Sequence, residues 1–233
     1  MTIQEMNTLS LLQGLRFVDS FFPSGGYAYS SGLEAAVQGG AVRTSDDLSA
    51  YVSDLLRHGL GRRESMAVAL AHDAVTTGKL RIALDADREL DAMKIGRESR
   101  EAGRQMGRQV IRIAAEQMND HAILRDYHAA VEAERTPCHL AVSLGLVLAL
   151  SGWSREVAVA AYLYQTATGL MSAALKLLPI GQREGQRLLD GWMPLIAELS
   201  KQAQPETTMT SWSPIQDIYA MRHSRLTSRL FRS

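Results

Sequence analysis

Nineteen consecutive residues, 157–175, carry no charged side chain, and this length is close to that of a membrane-spanning helix. The stretch is rich in alanine rather than leucine and contains Gln165, Thr166, Thr168 and Ser172. Lipid-facing helices are more uniformly apolar, whereas a helix that is apolar on all sides in a globular protein is buried at its centre. We therefore favour a central buried helix, with a membrane span as the less favoured alternative.

Helical periodicity extends over nearly the whole chain. Apolar residues at 48, 51, 52, 55 and 56 have the spacing of a core-facing helix, and Thr44 with Asp47 has the spacing of a capping box before it. Alternating β-branched runs and Asn-Gly or Asp-Gly hairpin turns are missing from the sequence. The sequence predicts an all-α, single-domain bundle of about ten helices with a mobile C-terminal tail.

Glycine and proline residues mark the predicted ends of helices and the predicted linker. We expect a helical domain over residues 1–203, followed by a linker and partner-docking tail over 204–233. Residues 21–32 and the linker 203–214 are predicted to be non-helical. Further helices are predicted at 65–78, 79–96, 97–117, 138–152, after the N-cap Ser154, and at 182–202 with a kink near Pro194.

Composition and charge exclude several classes of protein. Lys plus Arg and Asp plus Glu both number 25, so the whole chain has no bulk attraction to nucleic acid or a membrane. The single cysteine, Cys138, precludes an intramolecular disulfide and favours a reducing compartment. The N-terminus has no visible secretory signal, so we expect a cytoplasmic protein.

The common catalytic signatures are missing, among them the P-loop, the dinucleotide fingerprint and the zinc-protease motif. Cys138 and His139 could offer a soft pair of metal ligands, but adjacent helical residues point about 100° apart, which favours structural roles. His121 and His128 are interpreted as surface histidines. We predict no catalytic residues, metal site or cofactor; an enzyme using His139 or Glu34 as acid or base is the alternative.

Five arginines of one predicted helix fall within about 120° of its circumference. A solvated basic face is favoured, with a docking face for an acidic partner or for nucleic acid as the alternative. Gly103 and Gly107 lie between this face and the apolar face, where they would permit close approach of another helix. The arginines are Arg97, Arg100, Arg104, Arg108 and Arg112.

The chain ends with four arginines among apolar residues, in the segment MRHSRLTSRLFRS. This mixture suits a short docking peptide, because arginine and large apolar side chains are common anchors of protein interfaces. Near the start, Gly25 and Gly26 favour a tight turn with positive φ, interpreted as a structural corner or, alternatively, a partner-contact loop or anion site.

Three segments together resemble the UreF family of urease accessory proteins, in the family's order from about Leu11 to Ser233. They are LLQGLRFVDSFFPSGGYAYSSGLEAAV, ALKLLPIGQREGQRLL and SPIQDIYAMRHSRLTSRLFRS. The resemblance implies a non-catalytic, typically homodimeric assembly factor. Such a factor joins a scaffold protein of the UreD/UreH type and recruits or regulates the GTPase UreG during nickel insertion into apo-urease, without a nucleic-acid or membrane partner.

The resemblance also implies three sets of site residues. The partner or dimer loop comprises Pro23, Gly25, Gly26, Tyr27, Ser30 and Glu34. The GTPase-facing candidates are Lys176, Gly181 and Gln182. The partner-binding tail comprises Met221, Arg222, His223, Arg229, Leu230, Phe231, Arg232 and Ser233. Gly103, Arg104, His139 and Asp217 also match family positions, whereas Ser224 stands where the family usually has Glu, and Lys176 where Arg is common.

Overall fold

The computed structural model describes residues 7–118, 120–204 and 208–232, and every regular element in them is a helix. The all-α prediction is therefore confirmed. The helices are α1 Thr8–Val18, α2 Leu33–Gln38, α3 Ser45–Asp54, α4 Glu64–Thr77, α5 Leu80–Met93, α6 Arg97–Gln117, α7 Ala122–Glu132, α8 Leu140–Leu150, α9 Arg155–Leu177, α10 Gln182–Gln202 and α11 Pro214–His223. A 3₁₀ turn, Gly26–Ala28, precedes α2, and a π-helix, Leu55–Leu60, continues α3.

The centre of the fold is α8, which packs against α4, α6 and α9. Gly145 allows α8 to approach α4 closely, because a Cβ at this position would lie 2.5 Å from the carbonyl oxygen of Val68. The uncharged stretch forms most of α9, whose N-cap Ser154 accepts the backbone N–H of Val157 as predicted. Among the described helices, none is long and apolar enough to cross a membrane.

The start of α8 is held by α5 and α6. Asp87 of α5 is fully buried and accepts the backbone N–H groups of Cys138 at 2.6 Å and His139 at 2.8 Å. On α6, Gly107 lies against the carbonyl of Cys138, and a Cβ at Gly103 would lie 2.6 Å from Nδ1 of His139. The predicted role of these two glycines in close helix approach is confirmed.

The described part of the linker is fastened to the body beside the π-helix. A π-helix has wider turns than an α-helix and leaves carbonyl groups free for other donors. The carbonyl of His58 accepts the N–H of Trp212 at 2.8 Å, and that of Arg62 accepts the N–H of Thr210 at 3.2 Å. Met209, the residue before Thr210, is buried. The described part of the linker before Pro214 is therefore non-helical, as predicted, and is hydrogen-bonded to the body.

The position of the tail differs from the expectation of a mobile segment. Helix α11 packs across α2 and α6, and Gly32, with φ of +85°, allows the backbone of Ala220 to approach α2 closely. The reason is a set of buried ionic partners on the body, which local sequence patterns do not reveal. Ser233 lies outside the described residues, and the domain boundary at 203 and 204 stays a prediction.

Candidate partner-binding site

Glu34 of α2 is the central residue of the site. Its carboxylate is 1% exposed and accepts the backbone N–H groups of Leu230 at 2.7 Å and Phe231 at 3.2 Å. His223 Nε2 lies 2.9 Å from the same carboxylate. Burial acts to raise the pKa of Glu34, but the bonds from Leu230, His223 and Phe231 outweigh burial and lower that pKa. Glu34 is thus a buried anion whose shortest hydrogen bonds come from the tail, while Nε2 of Gln38 donates to Oε1 from 3.5 Å.

His223 of α11 is fully buried between two acidic residues. Its Nδ1 lies 2.8 Å from Oε2 of Glu98 on α6, while Nε2 faces Glu34. Each ring nitrogen of His223 therefore faces a carboxylate oxygen of the body. Arg229 completes the cluster by donating from Nη1 to Oε1 of Glu98 at 3.2 Å. We call Glu34, Glu98, His223 and Arg229 the tail clasp.

The end of the tail makes further contacts with the opening loop. The N–H of Arg232 donates to the carbonyl of Ala28 at 2.8 Å, and Nε2 of Gln38 donates to the carbonyl of Ser228 at 3.1 Å. Phe231 is buried, and Nζ of Lys176 lies 5.4 Å from the centroid of its ring, a cation–π arrangement. These contacts hold the last described residues of the tail against the body, in addition to the tail clasp.

The three predicted sets of residues meet at one recess of about 460 Å³. Gly25 and Tyr27 come from the opening loop, Lys176 from α9, and Phe231 and Arg232 from the tail. Gly25 has a φ of +81°, which agrees with the predicted tight turn. Leu230 also lines the recess and is exposed, so apolar and cationic groups lie close together there.

Other predicted residues lie outside the recess. Gly181 and Gln182 are exposed at the start of α10. Pro23 is exposed on the opening loop, and Gly26 begins the 3₁₀ turn. Ser30 is buried below the loop, where its hydroxyl accepts the N–H of Glu34 at 3.4 Å. The structure therefore brings together only part of the predicted set.

The docked tail has an inner and an outer side. His223 and Phe231, both predicted to bind a partner, point inward and contact the body. Four apolar residues are instead exposed: Trp212 just before α11, and Ile215, Ile218 and Met221 at three-residue spacing along it. We call these four residues the α11 face. Arg222 and Arg232 are exposed on the same tail and remain accessible to a partner.

A second buried ionic cluster was not found from the sequence. Glu64 is 1% exposed and pairs with Nε of Arg63 at 3.1 Å and Nζ of Lys94 at 2.8 Å. Burial acts to raise the pKa of Glu64, but the two cations overcome it and lower the pKa to about 2. Burial raises the pKa of the nearby Asp217. The sequence signal that could have revealed this cluster was a charged residue, Glu64, at the start of an otherwise buried helix, since charged residues are rarely buried unless they are paired.

The predicted arginine stripe is partly neutralised within the protein. Arg104 donates from Nε and Nη2 to the two oxygens of Asp91, at 2.7 and 2.6 Å. Asp91 also lies 2.8 Å from Nε2 of His139. Arg97 lies 3.9 Å from an oxygen of Glu101. These pairs favour the solvated basic face over a nucleic-acid interface.

The surroundings of Cys138 and His139 favour structural roles over metal binding. Burial raises the pKa of the Cys138 thiol to about 12, which disfavours the thiolate that binds metals. Burial also lowers the pKa of His139, whose Nε2 is already engaged with Asp91. Across residues 7–118, 120–204 and 208–232, no three His, Cys, Asp or Glu side chains are grouped to hold a metal ion.

The fold and the site define an all-α protein in which the N-terminal region clasps the C-terminal segment. Residues 42–192 match the UreF family, so the chain belongs to the UreF family of urease accessory proteins. It is 29% identical to the urease accessory protein UreF of Bacillus sp. (strain TB-90), covering 96% of this chain and 99% of the relative.

Two further relatives show similar agreement along the whole chain. Identity to UreF of Actinobacillus pleuropneumoniae serotype 3 (strain JL03) is 30%, over 94% of this chain and 97% of that protein. Identity to UreF of Haemophilus influenzae (strain PittGG) is also 30%, over 94% of both chains. The family resemblance predicted from the opening, middle and closing segments is thus confirmed.

Proposed function

We propose that the protein is a non-catalytic scaffold in urease assembly. It joins a protein of the UreD/UreH type and recruits or regulates a UreG-type GTPase while nickel is inserted into apo-urease. It acts in the cytoplasm as a homodimer. Family membership supports the link to urease. The observation that carries the scaffold role is the tail clasp, which anchors the inner side of the tail and leaves its apolar outer side exposed.

The UreD/UreH-type protein binds the α11 face in this proposal. Trp212 is 79% exposed and Ile215 60% exposed, so both keep most of their apolar area available. Large aromatic and aliphatic side chains that enter pockets of a partner supply most of the affinity of such interfaces. Because the tail is already held by the body, binding costs less ordering entropy than binding of a disordered segment.

The GTPase approaches the recess and the start of α10. Lys176 and Arg232 provide positive charge there, while Gly181 and Gln182 offer exposed backbone and amide groups. A scaffold changes the balance of two nucleotide states only if it binds one state more tightly. The protein therefore acts on the GTPase through differential affinity and contributes no reacting group of its own.

Deletion of residues 222–233 tests the scaffold role. We expect the truncated chain to keep its helical circular dichroism but to lose co-purification with the UreD/UreH-type protein. The reason is that the deletion removes His223 and Arg229, the two residues that the tail contributes to the tail clasp. The full-length variant Ile218→Asp should show the same loss, since it places a charge on the α11 face. Unchanged affinity in both proteins would exclude this face as the binding site.

Substitutions at the recess test the GTPase role. Lys176→Ala and Gln182→Ala should reduce activation of urease, while the complex with the UreD/UreH-type protein remains intact. Lys201→Ala is the matched control, since Lys201 is an exposed lysine on the last turn of α10. Normal urease activation by both Lys176→Ala and Gln182→Ala would remove this surface from the proposal.

A further inference from the structure

The recess beside the docked tail carries positive charge that the protein does not neutralise. Of the ten described residues that line it, Lys176 and Arg232 are cationic and none is acidic. Both cations are exposed, and in the part of the chain that the structure describes neither forms an ion pair with a carboxylate. The cation–π contact between Lys176 and Phe231 leaves the charge of the lysine in place. The recess therefore attracts an anionic ligand.

Gln105 of α6 adds a hydrogen-bond donor to the same recess. Its Oε1 accepts the hydroxyl of Tyr29 at 2.6 Å, so the NH₂ group of this side chain is the part that remains for a ligand. The ammonium of Lys176, the guanidinium of Arg232 and this amide group all donate hydrogen bonds, whereas an ionised carboxylate only accepts them. The donors of the recess therefore match the carboxylates of acidic side chains.

The positive surface continues from the recess along α6. Arg108 and Arg112 are exposed and lie within about 60° of Gln105 around the helix, about one and two turns further along it. Arg112 donates to the neutral side chain of Gln109 at 2.9 Å, and no described carboxylate forms an ion pair with either arginine. These two members of the arginine stripe therefore keep their charge available to a partner.

Acidic residues limit the length of this positive surface. Glu101 precedes Gln105 by about one turn, Glu116 follows Arg112 by about one turn, and both are exposed on the same side of α6. A nucleic-acid strand carries a charge at every phosphate, so a strand that follows α6 would meet a carboxylate at either end of the surface. A short acidic peptide places its charges only between them. The surface therefore favours an acidic protein segment over nucleic acid.

We propose that the recess and the two arginines of α6 bind a short acidic segment of the GTPase. Its carboxylates contact Lys176, Arg108 and Arg112, and an apolar side chain of the segment packs on Leu230, which lines the recess and is 71% exposed. Opposite charges of this kind speed association and fix the register of an interface. The inference rests on the GTPase role of the proposed function and adds the chemistry and the extent of the contact.

Charge reversal on α6 tests the contact with the GTPase. We expect Arg108→Glu with Arg112→Glu to weaken binding of a purified UreG-type GTPase roughly tenfold by calorimetry, the effect of losing two exposed ion pairs. Both arginines are exposed, so circular dichroism should show an unchanged helical fold. The matched control is Lys79→Glu with Arg81→Glu, which reverses two exposed cations near the start of α5 and should bind like wild type. Wild-type affinity in the α6 variant would overturn the proposal.

A synthetic peptide tests the same site without the GTPase. A glutamate-rich peptide that contains one leucine should shift the backbone NMR signals of residues 105–112 and of Lys176 in the wild-type protein. The shifts should diminish in the α6 variant and at raised salt concentration, because salt screens exposed charges. A single-stranded oligonucleotide of equal charge should bind more weakly than the peptide. Tighter binding of the oligonucleotide, or no shift of these signals by the peptide, would overturn the acidic contact.

The two proposals fail in distinguishable ways. If the acidic contact is wrong, the GTPase binds wild type and the α6 variant with equal affinity. If the GTPase role is wrong, the GTPase does not bind the wild-type protein, whereas the acidic peptide still shifts the signals of the recess and α6.

Discussion

Glu34 and Glu64 are two buried carboxylates with equal exposure and different sources of stabilisation. Glu64 pairs with Arg63, its neighbour in sequence, and with Lys94, 30 residues away. Glu34 depends on His223, Leu230 and Phe231, which are 189, 196 and 197 residues away. The Glu64 cluster is therefore part of the helical body, whereas the Glu34 cluster exists only while the tail is docked.

This difference makes tail docking cooperative. Removing one partner of a buried ion pair leaves the other charge without compensation, which is expensive. Since Glu34 receives its shortest hydrogen bonds from one segment, partial release of the tail leaves a buried carboxylate with only the longer bond from Gln38. We expect the tail to occupy either the docked state or a released state, and a partner that binds the α11 face or the recess to bias this equilibrium.

The largest effect is expected for Glu64→Ala. The substitution leaves Arg63 and Lys94 as uncompensated charges inside the body, and breaking a buried pair costs about 3–5 kcal/mol. Urea unfolding followed by circular dichroism should show the whole transition at lower denaturant concentration. A free energy of unfolding within error of wild type would show that Glu64 does not anchor the body.

Glu34→Ala should act mainly on the tail. It removes the acceptor of two backbone N–H groups and of His223, so the tail should dissociate at a local cost of about 1–3 kcal/mol. Trypsin should then cleave after Arg225 faster than in wild type, while urea unfolding of the body changes less than in Glu64→Ala. Glu132→Ala, at an exposed glutamate beside His128, is the control and should cleave at the wild-type rate. Equal cleavage in all proteins would contradict the clasp.

Acidification should have a smaller effect and should weaken the stabilising contribution of Glu34 before that of Glu64. The pKa of Glu34 is lowered from its usual 4.5, so its stabilisation is complete above about pH 4.5 and declines as pH falls through the folded-state pKa. The pKa of Glu64 is about 2, so its contribution persists to lower pH. Hydrogen exchange, corrected for intrinsic rates, should show protection in residues 214–232 falling before protection in α4. Simultaneous loss in both regions would contradict this order.

Local physics made most of the fold predictable. The capping box of Thr44 and Asp47 forms as expected, with the Thr44 hydroxyl accepting the Asp47 N–H and the Asp47 carboxylate accepting the Thr44 N–H. Helix α6 spans the predicted residues, and its glycines contact the start of α8. The capping box and the bounds of α6 depend on residues within a few turns of one another, where periodicity and capping are reliable signals.

The site was predictable only in part. The resemblance selected Glu34 and His223 separately, as members of a loop and of a tail, and gave no reason to pair them. The helix α11 was missed because its short segment has mixed polarity and was interpreted as part of a mobile tail. The arginine-rich composition of the tail favoured a peptide that docks on a partner, whereas Arg229 pairs with Glu98 of the protein's own body.

By itself, the sequence determined the helical class, most helix positions and the family of this protein, because short-range spacing and motifs carry that information. Only the tertiary structure decided that the tail is docked, that His223 lies between Glu34 and Glu98, and that leucines on α1 and isoleucines on α11 remain exposed. The physical reason is distance along the chain. Whether a buried charge is compensated, or an apolar face covered, depends on groups that only folding brings into contact.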